Sequence, residues 1–151
     1  EIMSNAQENA QIKLTDAQRK LSKRYGDANF EDFVAKGYLP EAIINYVALV
    51  GWCPKSNQEK MTLQEMIEQF DVDGLSKSPA IFDDVKLRWL NGEYLKAMTP
   101  DEFYKVALPY IQKSKAGGKF NDYEISRLMQ TRVDILSLMY FRMFLCGDYI
   151  A

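Results

Sequence analysis

Two capping boxes constrain the fold of this chain more than any other feature of its sequence. Thr62–Glu65 and Thr99–Glu102 each place a threonine three residues before a glutamate, so that the two residues satisfy each other's free backbone donors at a helix start. Met61 and Met66 flank the first box and are spaced to form a hydrophobic staple across it. Pro100 stands at the first helical position of the second box, where its missing N–H costs nothing. We therefore predict that one helix begins at each box.

Three more helices are predicted from proline and cap positions and from apolar spacing. Their predicted starts are Pro40, Asp83 and Asn121. The second is expected to end before Gly92, the third fits a helical stripe through Leu136, and Pro109 is expected to end or kink the helix that starts at the second box. No stretch alternates apolar and polar residues as a half-buried strand does. We predict an all-α fold in which helix pairs are joined by short loops.

Apolar spacing also predicts which side of the Pro40 helix faces the core. The stripe expected to be buried recurs at three- and four-residue spacing and consists of Ile43, Ile44, Val47 and Val50. Trp52 and Trp89 are expected in the core or at its edge, because large aromatic side chains bury much apolar area.

The composition excludes several classes of function. Hydrophobic residues make up 47% of the chain, which is enough to bury a core and too many for a disordered segment. A formal net charge of −2 gives no overall attraction to nucleic acid, so any such surface has to be a local patch. The chain has no histidine, which removes every His-based triad and every His-containing zinc site. We therefore expect no metal bound to this chain.

The cysteines and the hydropathy of the chain indicate its cellular compartment. Cys53 and Cys146 are distant in sequence and fit no disulfide or metal-ligand pattern, which suits a reducing cytosol. The longest uncharged apolar stretch, Ala42–Cys53, is shorter than the roughly 20 residues that a membrane-spanning helix needs. We expect a cytoplasmic protein without membrane contact.

A short basic motif near the start of the chain has the composition of a polyphosphate-binding loop. It reads Lys20, Leu21, Ser22, Lys23, Arg24. Each lysine ammonium is a compact charge with three donors, which suits contact with phosphate oxygens. Taken alone, the motif is more typical of a solvated basic turn, and only the sequence that follows it favours the phosphate interpretation.

Five stretches in order resemble the bacterial-type glutamyl-tRNA synthetases downstream of their catalytic fold. They are residues 20–24, 37–46, 49–52, 75–83 and 86–94, which read KLSKR, GYLPEAIINY, LVGW, LSKSPAIFD and KLRWLNGEY. The similarity covers residues 18–110 well and continues more weakly around residues 130–132. One such stretch is a modest signal, whereas five in the family's order and spacing are specific to it.

The resemblance gives the basic motif a role. It is similar to the Lys-Met-Ser-Lys-Ser signature of class I synthetases, a mobile loop that closes over ATP, with Leu21 in place of the methionine and Arg24 in place of the last serine. Both replacements are ordinary in the family. The resemblance implies that Lys23 contacts the triphosphate of ATP, bound with Mg²⁺, and stabilises the departing pyrophosphate, with Lys20 as a supporting charge. Cations aimed at a leaving group that gains negative charge lower the barrier.

The resemblance also implies a division of the chain and a partner. Residues 1–26 would be the signature loop and its flanks, 27–97 a helical stem-contact region, and 98–151 the first helices of a truncated α-helical anticodon-binding domain. The implied partner is glutamate tRNA, held by lysine and arginine side chains against its phosphates. The candidate contacts are Lys77, Lys86, Arg88 and Arg132.

A competing interpretation stands beside each of these candidates. Lys77 lies in residues 76–82, which are more typical of a structural loop that docks two helices than of a binding loop. Lys86 and Arg88 also fit a solvated or salt-bridged helix face, which is the commoner place for such residues. Arg132 matches a family position inside a helix, where a packing or capping role is the alternative.

The longer protein that contains this chain is predicted to be a monomeric ligase without a DNA partner. By the resemblance, it attaches L-glutamate to tRNA in two ATP-dependent steps through glutamyl-adenylate. We expect this chain alone to be inactive, because the family's His-Ile-Gly-His type signature needs histidine and the chain has none. The alternative is an all-helical interaction module with no RNA or nucleotide role, which the near-neutral charge favours.

Overall fold

The computed structural model describes residues 29–78, 81–114 and 118–140. Within these ranges the chain forms six α-helices and two short 3-10 helices, and its extended pairing amounts to one isolated antiparallel bridge between Trp52 and Leu75. The α-helices are α1 (Phe30–Ala35), α2 (Pro40–Gly51), α3 (Leu63–Gln69), α4 (Asp84–Ala97), α5 (Pro100–Lys113) and α6 (Asp122–Met129). The 3-10 helices are Val72–Gly74 and Leu136–Leu138. The predicted all-α fold is confirmed.

Both capping boxes form as predicted. The Thr62 hydroxyl accepts a hydrogen bond from the Glu65 backbone N–H, and the Glu65 carboxylate accepts one from the Thr62 N–H at 2.7 Å. Thr99 and Glu102 repeat the exchange, with 2.8 Å between the Glu102 carboxylate and the Thr99 nitrogen. These bonds, the backbone ones foremost, hold the pKa of both glutamates below its usual value because they favour the charged carboxylate.

Helix α2 turns to the core a side that shares only part of the stripe predicted from its apolar spacing: Ile43 is buried and Val50 packs against the core, as predicted. Its buried residues are Ala42, Ile43, Asn45 and Tyr46. Ile44 and Val47 of the predicted stripe are 42% and 62% exposed. The orientation is held by a polar residue, because Asn45 Oδ1 accepts the Met61 N–H at 2.9 Å and lies 2.9 Å from the Tyr94 hydroxyl. The stripe of β-branched residues therefore predicted the packed side of α2 only in part.

Two predicted helix ends are wrong, and Pro109, which was expected to end or kink α5, does not end it. Helix α4 continues past Gly92, α5 continues past Pro109, and α6 stops at Met129 instead of continuing through Leu136. Gly92 is buried, and Asp134 packs over it at a distance where an added Cβ would make an ordinary van der Waals contact of 3.4 Å. Pro109 lies on the exposed side of α5, where water can bond the carbonyl that loses its amide partner.

Residues 130–138, which we call the strap, follow α6 and lie against the rest of the fold. The helix ends because the Arg132 N–H turns back to the Met129 carbonyl oxygen at 2.9 Å. The Gln130 side-chain amide then donates to two carbonyl oxygens at the C-terminal end of α4, at 2.7 and 3.1 Å. Contacts distant in sequence, rather than apolar period, therefore set the path of this segment.

The turn between α1 and α2 receives the other end of the strap. The Leu136 N–H donates to the Gly37 carbonyl oxygen at 3.1 Å. Gly37 has a φ of +92°, in the left-handed region that favours glycine. A Cβ at this position would also lie 2.7 Å from the Ser137 nitrogen. Both the conformation and the close approach therefore require glycine here.

The core consists of three clusters of buried side chains. The largest contains Leu39, Ala42, Leu95, Phe103, Ala107, Ile111, Met129, Val133, Leu136 and Met139. The second contains Phe33, Tyr38, Ile43, Tyr46, Leu87, Leu90 and Ile135. The third contains Trp52 and the two methionines of the predicted staple, Met61 and Met66. The largest cluster draws on both sides of the predicted boundary between 97 and 98, so the core is continuous there, and the division into domains stays a prediction.

Candidate functional site

The four candidate RNA contacts lie on three parts of the described fold. Lys77 is in the loop before α4, Lys86 and Arg88 are on the first half of α4, and Arg132 is in the strap instead of inside a helix. The basic motif Lys20–Arg24 lies outside the described residues, as does the predicted region 1–26. The roles predicted for that motif stay predictions.

Both candidates on α4 are held in salt bridges. Lys86 Nζ lies 2.8 Å from Glu59 Oε1, and Arg88 lies 2.9 Å from Asp134 Oδ2. All four side chains are partly exposed, and pairs in such settings contribute about 0–1 kcal/mol. The salt-bridged face that competed with an RNA role is therefore present, but the pairs are weak enough for a phosphate group to compete for either cation.

The other two candidates have no such partner. Lys77 and Arg132 are exposed, and neither side chain makes a hydrogen bond or an ion pair with any other residue in the three described ranges. Their charges are therefore available to an anionic ligand without the loss of an existing contact.

A groove of about 370 Å³ runs between α4 and the strap. Its lining residues are Asp84, Val85, Arg88, Trp89, Gly92, Lys96 and Asp134. Trp89, expected in the core or at its edge, is 44% exposed here, and Val85 is 76% exposed. Trp52, by contrast, is buried as expected. Sequence reasoning missed the groove because it ended α4 before Gly92. Val85, Trp89, Gly92 and Lys96 share one face only in a helix that continues to Ala97.

The charges of the groove are balanced. Arg88 pairs with Asp134, and Lys96 pairs with Glu93 at 2.8 Å. The Trp89 ring adds a flat apolar surface of the kind on which an unstacked base or another aromatic group packs. The arrangement is suited to binding, because it offers a ring and two cations at the surface beside the carboxylates of Asp84 and Asp134.

Asn91 joins α4 to two other segments at once and was not singled out by sequence reasoning. Its Oδ1 accepts the Leu39 N–H at 2.8 Å, and its Nδ2 donates to the Asp134 carbonyl oxygen at 2.5 Å. The side chain is fully buried. An amide on the otherwise apolar inner face of a helix was the available signal, since buried polar groups are nearly always hydrogen-bonded.

Tyrosines around the core are held in their protonated form. Burial raises the pKa of Tyr94 to about 12. Burial, and then the nearby Asp84 carboxylate, which accepts a hydrogen bond from the hydroxyl, raise the pKa of Tyr38. These hydroxyls therefore act as hydrogen-bond donors near neutral pH and do not serve as bases.

The described ranges contain neither a metal-binding cluster nor a membrane-spanning helix. There, no three or more Asp, Glu, Cys or His residues come together in a group that could bind a metal ion. None of the helices described is both long and apolar enough to span a membrane.

Comparison with known proteins gives one consistent family. The profile of the family described as tRNA synthetases class I (E and Q), catalytic domain, matches residues 4–89. A glutamate–tRNA ligase of Clostridium novyi (strain NT) is 47% identical over 127 residues, which cover 82% of this chain and 26% of the relative. A glutamate–tRNA ligase of Clostridium botulinum (strain Eklund 17B / Type B) is 50% identical over 124 residues, which cover 82% of this chain and 25% of the relative. The chain thus spans about a quarter of the length of these curated relatives.

Two solved structures agree with these sequence relatives. The glutamate–tRNA synthetase of Elizabethkingia anophelis matches with a TM-score of 0.63 at 30% identity, over 76% of this chain and 23% of that one. A glutamate–tRNA ligase of Elizabethkingia meningosepticum matches with a TM-score of 0.67 at 28% identity, over 83% of this chain and 28% of that one. Sequence and fold therefore point to the same group of proteins.

Proposed function

Since the chain belongs to the class I tRNA synthetases for glutamate and glutamine, we propose that it is the tRNA-binding C-terminal portion of a glutamate–tRNA ligase. The family membership confirms the resemblance noted in the five sequence stretches. The observation that carries the choice of glutamate is the identity of 47–50% to curated glutamate–tRNA ligases over 82% of the chain.

The reaction that we propose for the longer protein is a two-step ligation. Glutamate and ATP give glutamyl-adenylate and pyrophosphate, and the adenylate then passes glutamate to its tRNA. Within this chain, Lys23 would contact the triphosphate and stabilise the departing pyrophosphate, supported by Lys20. Both residues fall in the range matched by the family profile, which supports this assignment. Mg²⁺ would arrive on the triphosphate, as is usual for a metal ion held largely by phosphate oxygens.

The four RNA contacts that we propose differ in whether an existing ion pair has to break when RNA binds. Lys77 and Arg132 would meet phosphates with free, exposed side chains. Lys86 and Arg88 would exchange an exposed carboxylate for a phosphate, at little net cost in their ion pairs. Phosphate contacts fix register and supply affinity, whereas bases specify the RNA.

We place the longer protein in the cytoplasm as a monomer, with tRNA, ATP and L-glutamate as its partners. The exposed, unpaired Cys53 thiol is consistent with a reducing compartment. We expect this chain alone to form no adenylate. Its own contribution would be to hold the tRNA and to supply the basic loop.

Direct binding tests the proposal. The 151-residue chain is titrated with glutamate tRNA at several salt concentrations, and a DNA duplex of similar length serves as the control. We expect the logarithm of the association constant for tRNA to fall linearly with the logarithm of the salt concentration. The reason is that lysine and arginine side chains displace counterions from the phosphates when the protein binds. Adenylate formation by the chain alone would contradict the assigned division of labour.

The second candidate function is an interaction module without an RNA role. The paired charges of the groove and its exposed Trp89 favour it, since apolar side chains rimmed by polar ones mark protein contacts. If the chain shows no salt-dependent affinity for tRNA at modest ionic strength, the interaction module is favoured over the tRNA-binding role.

A further inference from the structure

We propose that Asn91 is a positioning residue that fixes where Arg132 presents its charge to RNA. The inference rests on the proposed function, because it gives a task to one of the predicted RNA contacts. Its basis is geometric: besides the hydrogen bond of its own N–H to Met129, the position of Arg132 depends on two flanking anchors, and one of them is the Asn91 carboxamide.

Arg132 lies on a short bridge of chain between two points that are tied to α4. On one side, the Gln130 amide donates to the carbonyl oxygens of Leu95 and Met98 at 3.1 and 2.7 Å. On the other side, the Asp134 carbonyl oxygen accepts from Asn91 at 2.5 Å. Between these anchors the Arg132 side chain is exposed and makes no contact that holds it to another residue of the described ranges. Its location is therefore set by its neighbours and not by its own side chain.

The Asn91 anchor is rigid because it is buried and complete. The side chain is fully buried, and its oxygen is engaged with the Leu39 N–H at 2.8 Å while its nitrogen serves the strap. Neither half of the carboxamide is free to rotate without leaving a buried backbone group unpaired. The same side chain also bonds the start of α2, so it fixes the strap, and with it Arg132, relative to the core.

The substitution that separates the two halves of this anchor is Asn91→Asp. Aspartate keeps an oxygen for the Leu39 N–H but places its second oxygen against the Asp134 carbonyl, so the contact to the strap becomes repulsive. Arg132→Gln removes the charge itself. Asn45→Asp is the matched control, because Asn45 is the other fully buried asparagine on a helix and its hydrogen bonds go to Met61 and Tyr94 instead of to the strap.

The experiment is a double-mutant cycle on tRNA affinity with the 151-residue chain. We expect Asn91→Asp to lower the affinity by the same factor as Arg132→Gln and to reduce the logarithmic salt slope by about one. In the Arg132→Gln background it should add nothing, because the charge that it positions is already gone. Asn45→Asp should leave both affinity and slope unchanged. Circular dichroism confirms that each variant is folded.

Three results would overturn the inference while leaving the proposed function intact. One is a full additional loss from Asn91→Asp in the Arg132→Gln background, and another is an equal loss from Asn45→Asp, either of which would assign the effect to general destabilisation. The third is unchanged binding by Asn91→Asp. If Asn91→Asp does not fold, Gln130→Ala replaces it in the double-mutant cycle with Arg132→Gln, because it removes the hydrogen bonds of the other anchor. A parent chain that shows no salt-dependent binding would refute the proposed function and this inference together.

Discussion

Helix α4 presents one face to the core and the other to solvent, and the two faces hold their polar groups in different ways. The inner face buries Leu87, Leu90, Asn91 and Leu95. Its one polar side chain has both of its amide groups bonded to backbone. On the outer face, Arg88 and Lys96 form partly exposed ion pairs beside the exposed ring of Trp89. The same 14-residue helix thus carries a complete buried contact and several weak ones.

The difference separates stability from binding. A buried amide that lost its partner would leave backbone groups unsatisfied, which costs about 1–3 kcal/mol for each. A surface ion pair contributes about 0–1 kcal/mol, so it can open to meet a ligand. We infer that the inner face sets the fold and that the outer face is where a partner is met.

The largest expected effect belongs to the inner face. Leu90→Ala removes a side chain with no solvent exposure and should lower the free energy of unfolding by about 2–5 kcal/mol. Val85→Ala on the outer face, which is 76% exposed, is the matched control and should change it by less than about 0.5 kcal/mol. Urea unfolding measures both. Similar losses for the two variants would break the distinction between the faces.

A smaller effect is expected at Tyr94. Its hydroxyl lies 2.9 Å from Asn45 Oδ1 and also donates to the Met61 carbonyl oxygen, so Tyr94→Phe should cost about 1–3 kcal/mol. Burial raises its folded pKa to about 12, above the value of about 10 in the unfolded chain.

The sign of the pH effect follows from that difference. A raised folded pKa gives stability that is fully present below pH 10 and is lost as the pH rises through about 12. Unfolding midpoints of the wild-type chain should therefore fall more steeply over this window than those of Tyr94→Phe. Parallel curves for the two proteins would show that this hydroxyl is not desolvated.

The smallest change in stability is expected on the outer face. Arg88→Gln breaks the pair with Asp134 and should alter the free energy of unfolding by about 0–1 kcal/mol. If Arg88 meets a phosphate, the salt slope of tRNA binding should fall by about one. Lys113→Gln, at the end of α5 and outside the candidate set, is the control. An unchanged slope would leave Arg88 as a residue of a salt-bridged surface only.

Features encoded within a few residues were predictable. Each capping box is complete inside four residues, and both form with the expected partners. The same holds for the caps of Asp83 and Asn121, whose side chains accept from nearby backbone N–H groups. Local sequence was therefore enough to place the start of each of these helices and to predict an all-α fold.

Features decided by distant segments were not predictable. Gly92 was expected to follow a helix end, yet α4 continues through it, at a point where Asp134 of the strap packs against the helix. The buried side of α2 includes Asn45, which accepts a hydrogen bond from the distant Met61 N–H, and only part of the apolar stripe. For the candidate site, the sequence indicated the cations, but pairing of Arg88 with Asp134 requires a contact across 46 positions. Residue types identify charges, and only the fold shows which charges are already partnered.

The hydrogen bond between Gly37 and Leu136 has a consequence for biosynthesis. It joins positions about a hundred residues apart, and the largest core cluster likewise combines Leu39 with Met139. At a translation rate of about 5–20 residues per second, roughly 5–20 s separate synthesis of the first partner from synthesis of the second. Until then, the nascent helices carry apolar faces without a cover. Folding of this region on the ribosome is thus timed by the arrival of its last segment.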